Sequence, residues 1–90
     1  MGSKSKVEIS VLLFAGPREL LGVDRVTLHV DPPTVGHLRA ALVAAYPALA
    51  PLLPSCVFAV EEALVAPEAE HSHALRPKEE VALIPPVSGG

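Results

Sequence analysis

The chain has no tryptophan, one cysteine and only three aromatic residues, Phe14, Tyr46 and Phe58, in 90 positions. Each scarcity removes a class of function. A single thiol cannot close an intramolecular disulfide, so the fold does not depend on an oxidising compartment. Three aromatics offer little platform for stacking bases. Seven basic against ten acidic residues give a net charge of −3, where a nucleic-acid backbone calls for a basic excess. No uncharged apolar run reaches the roughly 18 residues of a membrane span. Met1 to Lys6 lack the apolar stretch of a signal peptide, and Lys6 stands where a myristoylation signal needs Ser or Thr. The expectations are no nucleic acid, no membrane and a cytoplasmic location.

What the chain has in quantity is apolar side chain. Half of its residues are hydrophobic, 19% are charged, and the mean hydropathy is +0.43. That balance excludes disorder of the weakly hydrophobic, highly charged kind. The length suits one domain. A chain of this size buries only about 60–65% of its unfolded surface, which disfavours an elaborate active site of its own. Presenting a surface or a tail to a larger partner suits it better.

Val7, Ile9, Val11 and Leu13 alternate with Glu8 and Ser10 before Leu12 and Phe14 make both faces apolar, which predicts a strand from Val7 to Phe14. Gly16-Pro17 breaks it, and Arg18 to Gly22 is long enough for one short helical turn closed by glycine. Arg25 to Val30 alternates again, as the second strand of an antiparallel pair. Asp31-Pro32-Pro33 cannot continue a central strand. Thr34 offers an N-cap, and Val35, Leu38, Ala41, Leu42 and Ala45 recur at helical spacing up to the stop at Pro47. His37 and Arg39 fall off that stripe and are expected to face water. Ala48 to Pro54 reads as a packed connection or helical turn, Cys56 to Val60 as a short strand, Leu64-Val65 as a weaker one, and Glu68 to His73 as a polar loop. Val81 to Ile84 reads as a buried strand reached through the turn Arg76-Pro77-Lys78-Glu79.

The order is strand, strand, helix, strand, weak strand, strand, with no internal repeat. One helix across a mixed sheet covers one apolar sheet face economically. The α+β class follows, and the β-grasp (ubiquitin-like) fold has this order, with the first and last strands central, parallel and adjacent. The expected organisation is a flexible extension at 1–6, a β-grasp domain at 7–84 and an extended tail at 85–90.

Four groups are candidates for chemistry. His71-Ser72-His73 offers two histidines without a third ligand, which makes a weak metal site, and no metal is expected. Cys56 begins an apolar strand with no basic neighbour in sequence to lower its pKa, which fits a buried structural thiol. The pairs Glu61-Glu62 and Glu79-Glu80 lie in loops and read as solvated charge rather than as catalytic carboxylates. The fourth is Pro85-Pro86-Val87-Ser88-Gly89-Gly90, which follows directly on the last strand. Gly-Gly has no Cβ to obstruct a narrow channel. The two prolines favour an extended course and reduce the entropy lost on docking. Six extended residues reach about 20 Å. A terminal carboxylate with a pKa of about 3.5 is ionised at neutral pH and is a poor electrophile. It becomes reactive once activated, for instance as an acyl-adenylate, from which sulfide can displace the nucleotide to leave a thiocarboxylate.

Leu13-Phe14-Ala15, Arg18-Glu19-Leu20-Leu21-Gly22 and the closing Glu80 to Gly90 together resemble the small subunit of molybdopterin synthase, and the likeness runs from Val7 to the end. The resemblance implies a β-grasp sulfur carrier. It implies that Gly90 is adenylated by an enzyme related to ubiquitin-activating enzymes, at the expense of ATP, and then becomes a thiocarboxylate with sulfur from a sulfurtransferase. Gly89 would permit passage through the channel, and Pro85, Pro86, Val87 and Ser88 would form the rest of the inserted tail. The receiving partner would be the large subunit, in a heterotetramer. There sulfur passes to cyclic pyranopterin monophosphate to build the molybdopterin dithiolene. No cofactor is expected on this chain, and the pterin pocket is expected on the large subunit, so the isolated chain is not an enzyme by itself. Phe14 matches the family's first-strand aromatic position, as core or as partner contact, with core the preferred reading. Pro77-Lys78-Glu79-Glu80 departs from the Asp-Gly-Asp-Glu type of turn common in the family. A carrier for thiamine or tRNA thiolation, a ubiquitin-like protein modifier and a passive β-grasp binding module are the alternatives.

Overall fold

Alternation along Val7–Leu13 produces β1, in which Ile9, Val11 and Leu13 are buried while Glu8 on the opposite face is exposed. In the computed structural model, which describes residues 7–86, β1 is followed by α1 (Ala15–Leu21), β2 (Arg25–Val30), α2 (Val35–Ala45), β3 (Val57–Val60), β4 (Ala63–Val65) and β5 (Glu80–Ile84). The extension expected at 1–6 and the tail residues Val87, Ser88, Gly89 and Gly90 lie outside the described residues.

The strands form one sheet in the order β2-β1-β5-β3-β4. β1 pairs antiparallel with β2 and parallel with β5, so the first and last strands lie side by side inside the sheet, with β5 in the middle. The registers line up buried side chains in rows across the strands. One row runs Val26, Val11, Val81 and Val60; the next runs Leu13, Leu83, Phe58 and Val65. Fully burying each such side chain contributes about 1.5–3 kcal/mol, so these rows fix the strand order as well as the register. The fold is α+β and β-grasp, as the order of elements predicts.

The helix α2 closes the core with Val35, Leu38 and Leu42, all fully buried. Thr34 caps it: its Oγ1 accepts the His37 backbone N–H at 3.2 Å. Gly22 terminates α1 at φ 76°, where its N–H reaches the Arg18 carbonyl at 2.8 Å. The connection after α2 makes two 3-10 turns, Pro47–Leu49 and Leu53–Ser55, which bury Leu49 and Leu53.

Two expectations are corrected. Glu68 to His73 is not a polar loop: Pro67–Ser72 is a 3-10 helix lying on α2, with Glu70 only 7% exposed. The crossing is close enough that a Cβ on Gly36 would sit 3.3 Å from the His71 Cα. Arg39 does not face water either. Its Nε and Nη2 donate to the two Glu70 carboxylate oxygens at 2.8 and 2.6 Å, and Nη1 and Nη2 reach the carbonyls of Leu53 and Cys56 at 2.6 and 3.0 Å. The guanidinium also lies 5.1 Å from the centre of the Phe58 ring. Its off-stripe position places it where the 3-10 helix crosses α2, and that crossing replaces solvent with a carboxylate.

Candidate functional site

Parallel pairing of β1 with β5 decides where the tail leaves the domain. Register runs through Leu13 opposite Leu83. Phe14 and Ile84, one residue further on, line the same groove on the sheet face away from α2, and Pro85 and Pro86 follow at once. Ala59, Leu64 and Ala82 complete the apolar lining, which matches the pairing of Ala59 with both Leu64 and Ala82 across neighbouring strands. Phe14 is 42% exposed and Leu64 is 70% exposed, so this is apolar surface left open in the free chain.

Phe14 is therefore not a core residue. Ile9, Val11 and Leu13 occupy the buried parity of β1, and Phe14 shares the parity of Glu8 and Ser10. Ala15 then turns the chain at φ 49°, and the ring is left 42% exposed on the open face. Leu64 escaped the sequence reading as a surface residue. Its signal was the alternation in β4, where Val65 is buried and Leu64 points the other way.

The acidic pairs close turns. Glu61 and Glu62 form the two-residue connection of the β3–β4 hairpin with φ of 50° and 72°, positive at both positions as the twist of a tight hairpin demands. The Glu61 N–H donates to the Glu80 carbonyl at 3.0 Å, and the Glu61 carboxylate accepts the Glu80 N–H at 2.8 Å. Glu79 accepts the Arg76 N–H at 2.8 Å across the Arg76–Glu79 turn. The Glu61 and Glu79 carboxylates are thus engaged by backbone N–H groups in turns, a structural rather than an acid–base role. Glu62 and Glu80 instead supply the polar rim of the apolar groove.

Cys56 is buried at 3% exposure, and its Sγ lies 3.2 Å from the Leu52 carbonyl. Burial pushes the thiol above its usual range, and the Arg39 charge draws it back by less. A basic neighbour is thus present in space though absent in sequence, and burial still outweighs it. The thiol stays protonated at neutral pH and is a poor nucleophile. Arg39 is in turn held above its ordinary value, chiefly by its hydrogen bonds to Glu70 against the cost of burial. His71 is exposed and His73 half-buried, and no three metal-ligating side chains gather among the described residues. No helix among the described residues is long and apolar enough to cross a membrane.

Residues 11–90 match the ThiS family. The molybdopterin synthase sulfur carrier subunit of Chlamydomonas reinhardtii is 41% identical over 85 residues, which cover 93% of this chain and all of that one. The protein of the same name from Escherichia coli is 39% identical over 91% of this chain and 99% of its own length. Among solved structures, the crystal structure of SAMP1 from Haloferax volcanii superposes with a TM-score of 0.76 at 32% identity, covering 92% of this chain and 99% of that one. With a sheet of this order, an open apolar face at the root of its C-terminal segment and likeness along nearly its full length, the chain belongs to the ThiS family.

Proposed function

We propose that this chain is the sulfur-carrier small subunit of a molybdopterin synthase, with the Gly90 carboxylate as the group that carries sulfur. One observation bears most of the weight. The chain is 41% identical, over all of its relative's length, to a molybdopterin synthase sulfur carrier subunit, and it places an exposed apolar groove beside the residues from which its tail departs.

Loading of the sulfur divides into two displacements. A Gly90 carboxylate oxygen attacks the α-phosphorus of ATP on an adenylating enzyme, and pyrophosphate leaves. Sulfide, released from a sulfurtransferase persulfide by a reducing thiol, then attacks the acyl carbon, and AMP departs with one of the original carboxylate oxygens while the sulfur loses its proton. The product is a thiocarboxylate whose nucleophilic sulfur attacks cyclic pyranopterin monophosphate on the large subunit, and water then cleaves the resulting thioester, leaving the sulfur on the pterin and returning the Gly90 carboxylate. Gly89 and Gly90 suit passage through a narrow channel because neither carries a Cβ. Pro85 and Pro86 limit the freedom the tail loses on insertion. The groove formed by Phe14, Leu64, Ala82 and Ile84 is the natural seat for the protein that receives the tail, because Ile84 belongs to the groove and stands directly before Pro85. On this reading the pterin pocket belongs to the large subunit, and this chain acts as one component of the synthase.

The test is the intact mass after incubation with the adenylating enzyme, ATP and a sulfur source, beside a variant lacking Gly90. A gain matching one oxygen exchanged for sulfur, absent from the variant, is the expected result. An unchanged mass with partners shown to be active on another carrier would overturn the reading.

The likeness to SAMP1, a small archaeal modifier protein, favours a second reading in which the same activated glycine is transferred to lysines. Lysine-linked adducts of higher mass in cells, lost on deletion of Gly90, would support it.

A further inference from the structure

The groove at the tail root has a charged edge of one sign. Its apolar floor is Phe14, Ala59, Leu64, Ala82 and Ile84, and both polar residues that line it, Glu62 and Glu80, are acidic. The two differ in how free they are. Glu80 also borders a neighbouring groove that contains Arg25 and Lys78, so cations of this chain stand close to it. Glu62 lines the apolar groove, and among the described residues it takes part in no salt bridge. Its neighbour Glu61 is already committed to the Glu80 backbone. The hairpin supplies no reason for a carboxylate at 62: with φ of 72° the position favours glycine or asparagine.

We infer that Glu62 is a partner-selecting residue, and that the surface which covers the groove presents an apolar projection flanked by a lysine or arginine placed to meet its carboxylate. The occupant is the protein that receives the tail, here the molybdopterin synthase large subunit, so the inference rests on the function proposed above. Continuity of the groove with Ile84-Pro85-Pro86 argues for that choice, since a protein holding Gly90 lies within about 20 Å of Ile84, beside this face. A rim charge of this kind acts mainly on encounter rate and on rejection of wrong partners, and its effect fades as salt screens it. The apolar floor behaves differently, because burial of its side chains is not screened.

The experiment measures binding of the full chain to the large subunit of the same organism at low and at high salt. Glu62→Gln is expected to weaken the complex about threefold and Glu62→Lys about tenfold or more at low salt, with both differences shrinking at high salt. Leu64→Ala is expected to weaken it at both. Glu68→Lys, which changes net charge by the same amount on the 3-10 helix packed against α2, serves as the control. Wild-type affinity in Glu62→Lys, or an equal loss in Glu68→Lys, would overturn the inference and leave the sulfur-carrier reading intact. Failure of the wild-type chain to bind the large subunit at all would overturn both.

Discussion

Arg39 and Glu70 stand 31 residues apart in sequence and meet in a two-pronged ion pair, Nε to Oε1 at 2.8 Å and Nη2 to Oε2 at 2.6 Å. The side chains are only 24% and 10% exposed, so the pair is largely but not wholly removed from water. It ties the 3-10 helix Pro67–Ser72 to α2 and, through the carbonyls of Leu53 and Cys56, to the approach to β3. Removing one partner strands a charge. Glu70→Ala should cost about 2–3 kcal/mol, less than the roughly 3–5 kcal/mol of a fully buried pair because Arg39 retains some solvent. The double variant Arg39→Leu, Glu70→Leu should recover most of the loss. Urea denaturation midpoints decide it, and an unchanged midpoint in Glu70→Ala would show that the pair contributes nothing.

Cys56 gives the fold a dependence on alkaline pH. Burial holds its thiol above the usual range in the folded chain. The unfolded chain releases that proton first, near the ordinary thiol value of about 8.5. The contribution to stability is therefore complete below that pH and is lost as pH rises towards the folded value. Cys56→Ala removes the titration. The stability difference between wild type and Cys56→Ala, followed by urea denaturation, should shift against the wild type as pH rises above the ordinary thiol value of about 8.5. Parallel curves over that range would contradict the burial argument.

The Glu61-Glu62 hairpin predicts a gain in stability. Residues with a Cβ are disfavoured at positive φ by roughly 1–2 kcal/mol, and glycine escapes that cost while losing some entropy on folding. Glu62→Gly should raise stability by about 0.5–1 kcal/mol, read as a higher melting temperature. Glu61 is not equivalent, because its carboxylate accepts the Glu80 N–H, and Glu61→Gly forfeits that bond. If Glu62→Gly melts lower than wild type, the left-handed geometry of residue 62 is wrong.

Strand alternation and the helical spacing of Val35, Leu38 and Leu42 made nearly every element legible, because each reports a local period that burial enforces. What stayed hidden was long-range. The partner of Arg39 lies on an element whose polar sequence, Pro67 to Ser72, reads as loop, and nothing local marks Glu70 as a side chain that turns inward. Cys56 was placed correctly as a buried thiol, but the basic group beside it arrives from α2. Phe14 is the instructive miss. Its parity with Glu8 and Ser10 points to the open face, whereas its hydrophobicity alone points to the core.

That position yields the sharpest contrast between stability and partnership. Leu13 and Phe14 are adjacent, yet Leu13 is buried at 1% exposure and Phe14 stands open at 42%. Leu13→Ala should destabilise the domain by about 2–5 kcal/mol through a lost transfer term and a cavity. Phe14→Ala creates no cavity in the free chain and should stay within about 1 kcal/mol of wild type in urea. In the proposed complex with a large subunit the order should reverse at equal folded fraction. Phe14 would then be an aromatic anchor at the centre of a desolvated interface, and its truncation should weaken binding to the large subunit by about tenfold or more. Leu13→Ala, assayed where it remains folded, should bind nearly as wild type. Melting curves and binding measured on the same preparations separate the two roles. A Phe14→Ala chain that unfolds early would return Phe14 to the core, and one that binds with wild-type affinity would remove it from the interface.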